Sequence, residues 1–500
     1  MGQTNRHAVR RAAALLAALL TAVCALPASA LDVSPADCYW YTGKQKVVAI
    51  PDTYELAQTA ELAAMTEAEF SGLTDSFLAP DGKLYLLDAS GKIAVLNGDL
   101  TLDRVMDAFE KDGEAVTLDT PEGLFVDAAG RIYVADTLNK RIVRMDQTGA
   151  VDRLLEEPDN LTGFDGELSY LPSKLAVDSA GRIFVVVRNV NMGIVVLDPE
   201  GRFITYRGAP SVTLTLFDAF WRRFSTEEQR KRMTTYVPTE YNNLTINEED
   251  FLFGTISSLN DDSLLSAIRS NDRSAKVAPL KKLNLAGEDI LRRTGMYPPV
   301  GDLVTKAENL SAFSDVALSD CGIYTVLDSK KGHLFTYDDD GELLFVFGAI
   351  GTKLGQFSKP VAIAYSGEDI LVCDGYTKSV LRFSPTAYGS LLLKAVKDYY
   401  NGNYDSSYAA WERVLEYNSN LTLAYVGVGK AHYQEKEYRE AMECFKIAGD
   451  VEQYSNAYRK VRDGLIRSGF GYIAVGILVL ALAAVAVGLV HRFRRYCDGE

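Results

Sequence analysis

Acidic residues at the ends of apolar runs are the first candidates for chemistry in this chain. Glu122, Asp136, Asp328 and Asp374 occupy such places, and carboxylate oxygens are ligands that Ca²⁺ prefers. However, Asp88, Asp136, Asp328 and Asp374 each follow an apolar run in the same way, and a residue that recurs so regularly is typical of a turn. We therefore predict no metal site and no cofactor at these positions.

Histidine is too scarce to support the usual catalytic or zinc chemistry. The 500 residues include four histidines, and only His333 and His432 lie away from the ends of the chain. Protein zinc sites draw heavily on histidine and cysteine. The chain also contains no GxSxG and no HExxH motif. We predict no catalytic residues and favour a protein that is not an enzyme.

One segment, predicted to form a helical hairpin at 212–236, concentrates aromatic residues. Four of them fall at the i, i+3, i+4 and i+7 positions of one helix face: Phe217, Phe220, Trp221 and Phe224. Ser225 and Glu228 then have the spacing of a capping box before a second, basic helix. Two interpretations stay open: the aromatic face packs on the rest of the protein, or it binds a partner or a membrane surface.

The recurring acidic positions belong to a repeated unit. Its clearest copy, at 121–136, reads PEGLFVDAAGRIYVAD and continues TLNKRIVRM: a strand, a D-x-x-G turn, a second strand ending in Asp, a polar loop and a third strand. In the turn, Asp127 can bond its own backbone and Gly130 can take a positive φ. Similar units begin at residues 73, 172, 238, 313 and 360. Six units of about 50 residues predict six four-stranded sheets.

The residues PEGLFVDAAGRIYVADTLNKRIVRM resemble the NHL repeat in their Pro-x-Gly start, Val-Asp-x-x-Gly turn and Asn-x-Arg-Ile end. The resemblance covers about residues 73–384. It implies a mainly β fold, a six-bladed NHL-type β-propeller at 73–386 in which ring closure completes the core. Helical insertions near 212–236 and 260–276 lengthen two of the repeats. Gluconolactonase-like propellers hold Ca²⁺ or Zn²⁺ in the pore, so the resemblance also implies a metal-dependent hydrolase as an alternative function.

The last repeat shows only three strands before Pro385. In the N-terminal segment 31–72, the apolar run at 46–50 has no repeat around it. We predict that this run supplies the missing outer strand and closes the ring.

A different period follows the propeller. A helix-face pattern recurs after 34 residues, as Tyr404, Ser407, Trp411 and Val414 and then as Tyr438, Ala441, Phe445 and Ala448. A spacing of 34 is that of TPR units, so we predict a small α-helical TPR-like domain at 387–469. Tyr399, Tyr408 and Tyr433 are its candidate partner-binding residues, with Tyr400 and Lys430 as further exposed positions. Many such tyrosines serve only the helical core, and that alternative stays open.

Both ends of the chain indicate export and membrane attachment. Residues 1–30 have the basic start, short apolar core and Ala-Ser-Ala end of a signal peptide. Residues 470–490 form an uncharged apolar run of 21 residues, and about 20 cross a bilayer. Arginines follow it directly, which marks the cytoplasmic side. We predict a single-pass protein of the cell membrane, with its bulk extracytoplasmic and a cytoplasmic tail at 491–500.

Cysteine usage indicates neither a metal site nor a redox motif. Cys38, Cys321, Cys373 and Cys444 are scattered, with no CxxC spacing. The sequence leaves open whether Cys321 and Cys373 form a disulfide or are ordinary buried thiols.

The favoured function is an extracytoplasmic binding or scaffold protein. The formal net charge of −15 argues against a nucleic-acid partner, because phosphate recognition needs a basic surface. We predict a protein or glycan partner outside the cell, and neighbouring membrane proteins such as transporter components within one assembly. The alternative is the gluconolactonase-like hydrolase acting in the propeller pore.

Overall fold

The computed structural model describes residues 38–497, apart from 160, 162–168, 189, 191, 209–239, 257–258 and 275. The predicted signal peptide at 1–30 and the four aromatic residues of the predicted hairpin (Phe217, Phe220, Trp221 and Phe224) lie outside the described residues.

Within the described residues the chain forms 27 strands. They are β1 (Tyr39–Tyr41), β2 (Val47–Ala49), β3 (Tyr54–Glu61), β4 (Leu73–Leu78), β5 (Leu84–Asp88), β6 (Ile93–Leu96), β7 (Leu102–Met106), β8 (Phe109–Lys111), β9 (Glu114–Val116), β10 (Gly123–Val126), β11 (Ile132–Asp136), β12 (Arg141–Met145), β13 (Val151–Leu155), β14 (Pro172–Val177), β15 (Ile183–Val187), β16 (Ile194–Leu197), β17 (Phe203–Arg207), β18 (Tyr241–Ile246), β19 (Leu252–Ile256), β20 (Leu280–Leu283), β21 (Phe313–Leu318), β22 (Tyr324–Asp328), β23 (His333–Tyr337), β24 (Leu343–Phe347), β25 (Pro360–Ser366), β26 (Asp369–Asp374) and β27 (Ser379–Pro385).

The helices follow mostly at the C-terminal end. They are α1 (Leu62–Met65), α2 (Asp261–Ser270), α3 (Ala387–Tyr400), α4 (Tyr404–Tyr417), α5 (Thr422–Gln434), α6 (Tyr438–Ala448) and α7 (Val451–Cys497).

The strands form six antiparallel blades, which confirms the predicted six-bladed β-propeller. Blades 1, 2 and 3 are the runs β4–β7, β10–β13 and β14–β17. Blade 4 holds β18–β20, blade 5 holds β21–β24 with β1 and β2 on its outer edge, and blade 6 holds β25–β27 with β3. The hairpin β8–β9 forms a separate two-stranded sheet.

The blades form because their strands are apolar and their turns carry the right residues. The second strand of blade 2, β11, is buried along its whole length. In the turn before it, Asp127 Oδ1 accepts the backbone N–H groups of Ala129 and Arg131 at 2.9 Å. Gly130 has a φ of 76°, in the region that glycine tolerates best. The D-x-x-G pattern therefore sets the hairpin that joins the first two strands.

The prediction for the closing strand was wrong. The strand that completes blade 6 is β3, which pairs with β27 over its length, whereas Val47–Ala49 pairs with β1 on the edge of blade 5. The prediction relied on the apolar character of residues 46–50, but Val47 and Val48 are exposed. By contrast, β3 has the mixed polar and apolar sequence YELAQTAE. An outer strand needs few apolar residues, because it buries only alternate side chains.

Blade 4 departs most from the repeat. The sequence predicts four strands here, but the structure has three, β18 to β20, followed only by an isolated bridge between Leu283 and Asp289. Between β19 and β20 lies α2, whose first turn carries Asp261 and Asp262 and whose N-cap is Asn260. The acidic pair thus begins a helix, as its sequence indicates.

Four helices after the propeller pack side by side and join its core. The buried cluster that contains Phe345 and Phe347 of blade 5 also contains Leu392 of α3 and Trp411 of α4. Close packing uses small residues: a Cβ at Gly429 would lie 2.6 Å from Phe445 Cε1. The helical region therefore shares one core with blade 5.

The last helix is long and apolar. Within α7 an 18-residue window has a mean hydropathy of 3.0, and none of it is buried. This is the one helix, among the residues that the structure describes, that is long and apolar enough to cross a membrane. The structure thus has a propeller, a helical region and one apolar helix in series.

All four predicted extracytoplasmic cysteines are free thiols. Cys38 and Cys373 are buried, and Cys321 and Cys444 are partly exposed. Cys321 and Cys373, whose pairing the sequence left open, therefore form no disulfide in this structure.

Candidate functional site

A groove of about 580 Å³ lies between blade 5 and the helical region. Its propeller wall is formed by the turn between β23 and β24 and by neighbouring residues. Its helical wall is formed by residues of α3, α5 and the start of α7, with Tyr404 of α4 and Phe445 of α6. The polar and aromatic lining residues are Arg292, Thr294, Asp338, Asp339, Asp340, Tyr399, Tyr400, Tyr404, Lys430, Tyr433, Gln434, Phe445, Glu452, Gln453 and Asn456.

Two of the three predicted partner-binding tyrosines line this groove. Tyr399 and Tyr433 lie on its helical wall, together with Tyr400 and Tyr404. Tyr408 does not line it: its ring packs edge-on to His432 at 5.2 Å, and its hydroxyl donates to Glu412 at 2.8 Å.

The groove tyrosines are held in fixed orientations by their neighbours. Tyr399 OH accepts a hydrogen bond from Gln434 Nε2 at 3.1 Å, and burial raises the pKa of this hydroxyl. The ring of Tyr433 meets Tyr438 edge-on at 5.2 Å. Rigid tyrosines present apolar area and a polar tip at little entropic cost, which suits them to binding surfaces.

Lys430 is an anchor and not an exposed contact as predicted. Only 14% of its side chain is exposed, and its Nζ lies 2.8 Å from Asp340 Oδ2 and 3.7 Å from Asp338 Oδ2. Burial alone would lower the pKa of Lys430, but Asp338 and Asp340 outweigh it and the pKa is raised. The ammonium therefore stays charged and ties α5 to the propeller.

Burial raises the pKa values of two acids beside Lys430. Glu342 is 3% exposed, accepts the backbone N–H of Met296 at 2.6 Å, and has its pKa raised to about 8 by burial. Burial also raises the pKa of Asp338. No local pattern predicts this cluster, because the acidic run DDDGE between two strands is typical of a solvent-exposed turn.

The predicted pore acids do not converge. Asp136 pairs with Arg141, and Glu122 pairs with Arg188. Asp374 accepts the backbone N–H groups of Ser358 and Tyr376. Asp328 likewise accepts two backbone N–H groups in blade 5. The three recurring aspartates thus bind groups of their own blades, whereas Glu122 of blade 2 pairs with Arg188 of blade 3.

Different residues occupy the pore. A cavity of about 200 Å³ at the inner strands includes Asp75, Lys174, Asn243 and Asp315. Lys174 Nζ lies 2.6 Å from Asp75 Oδ1, and Asn243 Nδ2 donates to Asp315 Oδ1 at 2.8 Å. Burial, followed by the nearby Asp75, raises the pKa of Asp315 to about 7. These polar groups satisfy one another between blades: Lys174 of blade 3 pairs with Asp75 of blade 1, and Asn243 of blade 4 with Asp315 of blade 5.

Comparisons with known proteins identify no family for this chain. No family model matches it, and no curated protein matches it. Among solved structures, virginiamycin B lyase from Staphylococcus aureus is 12% identical, with 66% of this chain and 99% of that chain covered and a TM-score of 0.40. The Cps50 (Swd1) β-propeller domain of Myceliophteria thermophila is 9% identical, with 67% and 100% covered and a TM-score of 0.39.

A protein of unknown function from Bacteroides thetaiotaomicron is 12% identical, with 68% of this chain and 80% of that chain covered and a TM-score of 0.40. Similarity at this level says nothing about activity, ligand or partner.

Proposed function

We propose that this chain is a membrane-anchored, extracytoplasmic binding protein that holds a segment of a partner protein in the groove between blade 5 and the helices. The observation that carries the proposal is the groove itself, in which four tyrosines and several amide side chains converge from four helices onto one propeller turn. Tyrosine is enriched where proteins bind one another, and a concave, mixed polar and aromatic wall suits an extended peptide.

The position of the groove supports a partner close to the membrane. Glu452, Gln453 and Asn456 line it and belong to α7, the same helix that continues into the apolar stretch. The predicted span begins at Phe470, 14 residues beyond Asn456. At 1.5 Å per helical residue the groove lies about 21 Å or less above the membrane. A partner that is itself a membrane protein fits this geometry better than a freely diffusing one.

We also retain the finer predictions as parts of this proposal. They are the NHL character of the blades, the TPR-like pairing of α3–α6, the signal peptide, and the cytoplasmic C-terminus. Helical repeats commonly present concave binding surfaces, and a groove between two TPR-like pairs and a propeller is a surface of this kind.

The pore hydrolase is the weaker candidate. Lys174 is paired with Asp75, and Asn243 is paired with Asp315, so the acids of the pore are neutralised or hydrogen-bonded by protein groups. A metal-dependent reaction needs carboxylates that are free to bind the ion.

The test is partner recovery from the native membrane. Full-length protein is extracted in mild detergent after cross-linking from a photoreactive residue at position Gln453, and the attached proteins are identified by mass spectrometry. We expect one abundant membrane-protein adduct. The variant Tyr433→Ala should weaken its recovery by about 30-fold, since a central tyrosine contributes about 2 kcal/mol.

A matched control is Tyr376→Ala, because Tyr376 is 75% exposed on a propeller turn outside the groove. Recovery should be unchanged in this variant. Equal recovery in Tyr433→Ala and wild type, with both folded to the same melting temperature, would refute the proposal.

A further inference from the structure

The aspartate that ends the second strand of a blade is buried in blades 1, 2, 5 and 6, as Asp88, Asp136, Asp328 and Asp374. In three of these blades both carboxylate oxygens are satisfied. In blade 2, for example, Asp136 Oδ1 accepts the N–H of Asp119 at 2.7 Å, and Oδ2 accepts Asn139 Nδ2 and Arg141 Nε, both at 2.9 Å.

Blade 5 breaks this pattern. Asp328 Oδ1 accepts the N–H groups of Ala312 and Lys330 at 3.0 Å, but Oδ2 is buried and has no partner among the described residues. Asp328 itself is 0% exposed. The residue opposite it on the next strand is His333, where blade 2 has Arg141 and blade 6 has Ser379.

His333 is also only half satisfied. Its Nδ1 lies 3.2 Å from Asp302 Oδ2 and 3.0 Å from Tyr39 OH, whereas Nε2 is buried without a partner in the described part of the chain. A carboxylate that accepts Nδ1–H fixes the ring in the tautomer whose Nε2 carries a lone pair. This carboxylate–histidine pairing is the arrangement that orients histidine ligands in metal sites.

We propose that Asp328 and His333, with Asp302 behind them, form a site for one divalent transition-metal ion of the Zn²⁺ type. Each of the three residues brings a ligand atom within 4.8 Å of the other two, and all three are buried. Two buried acceptors without donors are costly, and a cation satisfies both at once. Zn²⁺ takes imidazole nitrogen and carboxylate oxygen together, and water completes its coordination.

Lys331 regulates access to this site. Its Nζ lies 2.5 Å from Asp302 Oδ2 and 2.5 Å from the carbonyl of Asn309, and 23% of its side chain is exposed. In the ion-free protein the ammonium balances Asp302. The long, partly exposed side chain can turn to solvent when the ion binds, so the metal and Lys331 compete for the same negative charge.

The site would join the N-terminal hairpin to blade 5. Tyr39 and Tyr41 donate their hydroxyls to Asp302 Oδ1 at 2.5 and 2.9 Å, and β1 pairs with β24 at a single position, Tyr39 with Val346. An ion that fixes Asp302 and His333 therefore also fixes the hairpin, and metal binding should stabilise the folded protein.

The experiment titrates Zn²⁺ into full-length protein in detergent, purified without a histidine tag and stripped with a chelator. Calorimetry should give one site per chain, and the melting temperature should rise with Zn²⁺. His333→Gln should weaken binding at least 100-fold, and Asp328→Asn at least 10-fold. Lys331→Gln should strengthen binding several-fold, an effect that a purely structural lysine would not produce.

His432→Gln is the matched control, because His432 contacts Glu437 on the helical region away from this site. It should bind Zn²⁺ as wild type does. The proposal is overturned if wild type takes up no ion at 1:1, or if His333→Gln, folded to a wild-type circular dichroism spectrum, retains wild-type affinity.

Discussion

Blade 2 and blade 5 are built on the same repeat but differ in what their buried polar groups contact. In blade 2 the groups close on their own blade or its immediate neighbour: Asp136 meets Arg141, and Arg144 meets Asp152. In blade 5 they reach outside it, to Lys430 of α5 and to Tyr39 and Tyr41 of the N-terminal hairpin through Asp302.

This difference distinguishes a blade that only completes the ring from one that also holds the other parts of the protein. The polar residues of blade 2 contact only groups of the propeller, so their role is to stabilise the propeller fold. Blade 5 carries the hairpin on its outer edge and the helices on its β23–β24 turn, and it borders the groove and the proposed metal site. Changes in the two blades should therefore have different consequences.

The largest effect is expected at the junction of blade 5 with the helices. Lys430→Met removes the ammonium and leaves the partly buried Asp338 and Asp340 and the buried Glu342 without their cation. Breaking a buried ion pair from one side costs about 3–5 kcal/mol. Hydrogen–deuterium exchange should show α5 losing protection while β11 of blade 2 stays protected.

The control for this variant is Lys446→Met, an exposed lysine of α6 that should cost less than about 0.5 kcal/mol. If α5 keeps wild-type protection in Lys430→Met, the junction does not depend on this ion pair.

The second effect compares the two blades directly at equivalent positions. Asp136→Ala removes an acceptor from one backbone N–H, one amide and one guanidinium, and should lower the free energy of unfolding by about 3 kcal/mol. Asp328→Ala, in metal-free protein, also removes an unsatisfied buried oxygen and should cost only about 1 kcal/mol. Chemical denaturation of both variants measures the order, and the reverse order would contradict this account of blade 5.

The third effect depends on pH. Burial raises the pKa of Glu342 to about 8, above its ordinary value of 4.5. Between these two values the folded protein keeps a proton that the unfolded chain releases, so this group's contribution to stability is complete below pH 4.5 and is lost as pH rises to 8. Because one pKa unit corresponds to about 1.4 kcal/mol, the loss is on the order of a few kcal/mol.

Glu342→Gln should flatten this part of the pH profile, because glutamine carries no titrating proton. Melting temperatures measured from pH 5 to 8.5 give the profile, and Glu443→Gln on the exposed face of α6 serves as the control. A variant that follows the wild-type slope throughout would show that Glu342 does not titrate in this range.

The smallest effect concerns the N-terminal hairpin, which blade 2 lacks. Tyr41→Phe removes the 2.9 Å hydrogen bond to Asp302 and keeps the packing of the ring. We expect a loss of about 1 kcal/mol, seen as faster proteolysis near residues 43–46. Unchanged proteolysis would mean that the remaining bonds of Tyr39 and Trp40 hold the hairpin alone.

Much of the fold could be predicted from the residues. The D-x-x-G turns and buried strands locate the six blades, because local turn chemistry and strand burial leave a periodic pattern in the chain. The closing strand could not be located, since β3 is a half-buried outer strand whose partner is more than 300 residues away in sequence. The tyrosines of the groove were found only in part: Tyr399 and Tyr433 share one helical wall, whereas Tyr408 faces elsewhere.

Local sequence patterns were therefore enough to predict the blades, the helices after them, and one apolar helix. Which group each buried polar side chain contacts depends on long-range packing. Asp136 and Asp328 are the same residue at the same repeat position, but one is paired with Arg141 and the other leaves an oxygen beside His333. The physical reason is that burial and pairing depend on chain segments far apart in sequence, here Asp302 and the N-terminal hairpin, which no local pattern brings together.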